Sequence, residues 1–64
     1  MRKEDLEKLR HMNEEIEAIE QHTLRLASLG ELLPAVQKNA RTILSAVYVL
    51  KFDITDIVDI HKSR

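Results

Sequence analysis

Apolar residues recur along this chain in steps of three and four, in two stretches separated at Gly30 and Pro34. The first stripe is Leu9, Met12, Ile16, Ile19, Thr23 and Leu26, with Thr23 as its one polar member. The second is Val36, Ala40, Ile43, Val47, Leu50, Ile54 and Ile57. Alternating steps of three and four return to the same side of an α-helix, so each stretch predicts one amphipathic helix. The expected architecture is all-α. It is an antiparallel two-helix hairpin with helices over about 3–29 and 34–61, and residues 1–64 form a single helical-hairpin domain.

The break is Ser28-Leu-Gly-Glu-Leu-Leu-Pro34. Gly30 suits the left-handed residue that often ends a helix. Pro34 suits the first helical position of the next, where its missing N–H costs nothing. A Ser28…Glu31 capping box would instead start the second helix earlier. That reading leaves Pro34 inside a helix, at a cost of about 3 kcal/mol, so the Gly30/Pro34 boundary is preferred. A connection this short makes the two helices antiparallel neighbours. The stretch from Asp53 to Ile60 is rich in β-branched residues and would also suit a strand. The helical reading extends the stripe through Ile54, Ile57 and His61 and keeps one register.

The helices are unequal. Around the first stripe lie Glu14, Glu15, Glu17, Gln21 and Arg25, a solvated face. The second helix adds Leu44, Ala46, Val58 and Ile60 beside its stripe, with Tyr48, Val49 and Phe52 further round. A helix apolar on several sides needs covering on several sides. One hairpin partner covers only one. The expected remedy is a homodimer, possibly a tetramer, in which the second helix packs against its twin in a four-helix bundle. The residues expected to carry self-association are Ile43, Val47, Leu50, Ile54 and Ile57, flanked by Leu44, Tyr48 and Phe52. Tyr48, Val49 and Phe52 would otherwise form an exposed patch for an unidentified protein partner. Asn13 and Asn39, at the stripe edges, read as partly exposed polar residues, or as buried amides that fix register.

Size points the same way. Ordering a 64-residue chain costs on the order of 100 kcal/mol, at about 1.5 kcal/mol per residue. One seam between two helices rarely offsets that. There is no cysteine, which excludes disulfides and thiolate metal sites. The charge balance is close, with 10 basic and 11 acidic residues, so a basic nucleic-acid-binding face is not expected. Tyr48 and Phe52 are too few aromatics for a base-stacking surface. The uncharged run from Thr42 to Leu50 is far shorter than the roughly 20 residues of a membrane-spanning helix. No signal-peptide pattern stands out. The expectation is a cytoplasmic protein with no membrane or nucleic-acid partner. Opposite charges are expected to meet across the hairpin, with Glu14, Glu17 and Glu20 near Arg41 and Lys51, and Asp53, Asp56 and Asp59 near Lys8, Arg10, Arg2 and Lys3.

No constellation for chemistry emerges. Bundle di-iron sites need Glu-x-x-His pairs. The residues three before His11, His22 and His61 are Lys8, Ile19 and Val58. His11 and Glu15 stand one turn apart but supply only two ligands. Ser28, Ser45 and Ser63 have no histidine and acid arranged nearby. A phosphate-cradling loop needs several glycines, and the chain has one. The segment Asp5-Leu-Glu-Lys-Leu-Arg10 resembles the first helix of small all-helical chorismate mutases. The likeness covers one helix. That fold uses three helices with inward arginines and lysines, whereas the stripes here are apolar, so the family is not assigned. The expected function is therefore non-enzymatic, with no cofactor and no metal. The protein would be a small adaptor, scaffold or regulatory subunit acting through self-association. The alternative is a ligand- or metal-binding bundle with a site between protomers, for which Arg41, Lys51 and His61 would be the anion-binding candidates.

Overall fold

A computed structural model describes the backbone of residues 2–62 and the side chains of residues 2–55. It shows two helices packed against each other, α1 over Lys3–Leu29 and α2 over Pro34–Lys62, joined by a 3-10 turn over Gly30–Leu32. The expected hairpin and both helix boundaries agree with it to within a residue. The molecule is a slab measuring 48 × 18 × 10 Å.

Each helix end has a local cause. Arg2 is extended, and its carbonyl accepts the first turn's N–H groups from Asp5 and Leu6, both at 3.1 Å. The Asp5 carboxylate reaches back to accept the Arg2 N–H at 3.4 Å. Acidic groups here also suit the positive end of the helix dipole. Leu33, held extended by the following proline, turns its carbonyl into the first acceptor of α2. It receives the N–H groups of Val36 at 2.9 Å and Gln37 at 3.2 Å.

Gly30 corrects one expectation. Its φ is −79°, so the chain passes through the turn without a left-handed residue. The Gly30 N–H donates to the Leu26 carbonyl and its own carbonyl accepts the Leu33 N–H at 2.8 Å. The position instead needs glycine for space. A Cβ there would lie 2.7 Å from Val36 Cγ1 and 3.2 Å from Val36 Cβ. The turn is thus closed by backbone packed directly on a branched side chain. It is also tied by a side chain of α2: Gln37 Nε2 donates to the Ala27 carbonyl at 3.1 Å. That carbonyl belongs to the last turn of α1, where carbonyls run out of N–H donors from the helix itself.

The buried seam is narrow. On α1 it consists of Ile16 and Thr23, continued by Gly30 in the turn. On α2 it consists of Ala40 and Val47, continued by half-buried Ile54. These positions repeat every seven residues, so one row from each helix faces the other. Three of them are small, which lets the backbones approach closely. The Thr23 hydroxyl is satisfied within its own helix, donating to the Ile19 carbonyl at 2.6 Å.

Replacing Gly30 by Ala should lower stability by about 1 kcal/mol. The clash with stiff Val36 outweighs the smaller entropic gain of losing a glycine. Thermal denaturation followed by circular dichroism checks this. Combining Gly30→Ala with Val36→Ala should recover stability relative to the sum of the two single changes.

Candidate functional site

The rows flanking the buried seam differ on the two sides of the slab. On one side, Met12, Ile19 and Leu26 of α1 lie beside Val36, Ile43 and Leu50 of α2. These rows repeat every seven residues, one helical step from the buried row. Apart from half-buried Val36, each of these side chains keeps 42–50% of its surface exposed. Towards the open end of the hairpin the same side forms a groove of about 730 Å³. Met12, Ile16, Leu50 and Ile54 form its floor, and Lys8 and Asp53 stand on opposite banks. We call this the open side.

On the other side polar groups occupy the equivalent rows. Asn13, Glu20 and Ala27 of α1 lie beside Gln37, Leu44 and Lys51 of α2. Glu20 and Lys51 bridge the helices with an Nζ to Oε1 distance of 2.6 Å. Both are largely sheltered, at 34% side-chain exposure for Lys51 and 16% for Glu20. Lys51 Nζ also sits 5.9 Å from the centre of the Tyr48 ring. The hydrogen bond to Glu20, helped by the charge of that carboxylate, holds the Lys51 ammonium pKa above its ordinary value. The Gln37 bond to the Ala27 carbonyl lies on this side too, and Asn13 donates to Glu17 at 3.3 Å. We call this the bridged side.

The residues expected to carry self-association fall into separate groups. Ile43 and Leu50 are on the open side. Val47 is buried against α1, and Ile54 is half-buried in the same seam. Leu44 is half-buried on the bridged side, where Tyr48 is exposed beside Lys51. Phe52 and Val49 are exposed and point away from the seam. The side chain of Ile57 lies outside the described residues. The second helix therefore spends its central row on α1, and the apolar surface left over is shared with α1. Met12, Ile19 and Leu26 belong to that surface, although the stripe alone placed them in the seam. One signal separates the rows. The buried row includes Thr23, Gly30 and Ala40 beside Ile16, Val47 and Ile54, while the open rows carry no residue smaller than valine, so small residues mark where two backbones meet.

Other expected features are resolved plainly. Of the charge matches, Glu20 with Lys51 is present, and Lys8 and Asp53 line the same groove from opposite helices without forming an ion pair within the chain. Asp56, Asp59 and His61 lie outside the described side chains. Arg10 and His11 both lean on exposed Glu14, at 3.9 Å and 3.7 Å, so His11 does not pair with Glu15. Asn13 and Asn39 are exposed within the chain. Among the described residues no three His, Cys, Asp or Glu side chains gather to hold a metal, and no buried side-chain nitrogen or oxygen lacks a partner. Among the described residues, no helix is long and apolar enough to cross a membrane. No protein-family model, curated protein or solved structure matches the chain.

The bridge contributes to the alkaline limb of stability. A raised ammonium pKa adds stability that is whole below the ordinary lysine value of 10.5 and is lost as pH rises through the folded value. The melting temperature should therefore fall above about pH 10.5 as Lys51 deprotonates. In Glu20→Gln and in Lys51→Met that fall should be shallower. Melting curves recorded from neutral pH upward check this.

Proposed function

We propose that the chain is a non-enzymatic helical hairpin acting through self-association and protein–protein interaction, as a small adaptor, scaffold or regulatory subunit. Its assembled form is a homodimer, a four-helix bundle of two hairpins packed through their open sides. The observation that carries this reading is the open side itself. It presents five large apolar side chains from two helices, in register, half-exposed on one face. Solvent-exposed apolar surface of that continuity marks an interaction site.

Energetics support it. A chain of this length buries a small fraction of its surface alone, and among the described residues only Ile16, Ala40 and Val47 are apolar and fully buried. Docking two open sides turns the half-exposed rows into a second seam. Bundle packing at a crossing angle near 20° suits side chains spaced at heptad positions.

Light scattering coupled to size exclusion, over a hundredfold range of concentration, tests the reading. The expected particle mass is twice the 7.4 kDa of one chain. Leu50→Lys should lower it towards 7.4 kDa at the same concentration. Val47→Asp should abolish the helical signal as well, since it places a charge in the intrachain seam. A wild-type mass of 7.4 kDa throughout would overturn the proposal.

A further inference from the structure

Resting on that self-association, we infer that the occupant of the open side is a second copy related by a two-fold axis parallel to the helices, so that both turns lie at the same end of the bundle. Two face-to-face arrangements satisfy two-fold symmetry. With the axis across the helices, α1 covers its own twin and the turns lie at opposite ends. With the axis along the helices, α1 covers the partner's α2, and every residue keeps its height along the bundle.

Charge distinguishes the two. Lys8 and Asp53 are both exposed and line one groove from opposite helices, near the open end of the hairpin. An axis along the helices keeps both residues at that end, so Lys8 comes within reach of the partner's Asp53, and the reverse pair forms by symmetry. An axis across the helices inverts heights and carries Lys8 towards the partner's turn end, away from Asp53. Opposite charges at an interface rim select orientation more than they add affinity.

The turn gives an independent reason. Leu29, Leu32 and Leu33 are the most exposed leucines among the described residues, at 80%, 90% and 61%. Only the same-end arrangement sets two such apolar turns side by side. The area suffices in outline: a face of 48 × 18 Å is close to the roughly 800 Å² per partner of a stable interface.

Two measurements test the arrangement. The chain has no cysteine, so Glu31→Cys accepts a single spin label in the turn. In the same-end dimer the two labels should lie within about 25 Å, since neighbouring helices in a bundle are about 10 Å apart. In the opposite-end dimer they should approach about 40 Å, the length of a 27-residue helix at 1.5 Å per residue. A dimeric mass with the long distance would overturn the same-end arrangement and leave self-association standing. A monomeric mass would overturn both. In the second measurement, Lys8→Glu and Asp53→Lys are made in separate chains. Each homodimer then carries two like-charge pairs, while the mixed dimer carries two opposite pairs. The mixture should dimerise roughly tenfold more tightly than either variant alone. No gain on mixing would overturn the Lys8–Asp53 pairing.

Discussion

Two helices can cover each other along one line only, and the rest of this molecule follows from how that line is filled. Close approach is achieved with small residues: Thr23, Gly30 and Ala40 sit where the backbones meet, with Ile16 and Val47 filling the remaining depth. Met12, Ile19, Leu26, Ile43 and Leu50 are displaced to one flank and remain half in water. The same economy that makes the hairpin compact leaves it with a second hydrophobic surface.

The two flanks are treated differently. On one, Glu20 and Lys51 span the helices and Gln37 reaches the end of α1. These are polar interactions that fix register and tolerate water. On the other, nothing polar intervenes between the apolar rows. A surface ion pair contributes little to stability in general. Its value here is directional, because it makes the two faces of a thin slab chemically distinct.

Much of this is legible in the residues. The steps of three and four, with Gly30 and Pro34 at the break, predict both helices and their boundaries, because helix periodicity and proline sterics are local effects. Folding the chain about its turn leaves Glu20 and Lys51 several residues out of level, and the two long side chains, each leaning towards its own helix N-terminus, close the gap. The role of Gly30 is not legible locally. A glycine after a helix commonly adopts the left-handed conformation, and only the packed position of Val36 shows that it is needed for space. The division of each stripe into a buried and an open row also escapes a helical wheel, which treats the two rows as equivalent. Val47 and Leu50 differ by three residues, yet one meets α1 and the other meets solvent. That distinction depends on how each helix is rotated about its axis, which the small residues set jointly across the seam.

The fastening at the turn carries a kinetic meaning. Gln37 to the Ala27 carbonyl, and Gly30 against Val36, are among the shortest-range contacts between the two helices. Closing a short loop costs little entropy, and each contact further along then closes only a small additional loop. Chains dominated by such local contacts fold quickly. Loop entropy therefore favours pairing that starts at residues 27–37 and advances from there in the manner of a zipper, with the turn as its fixed end.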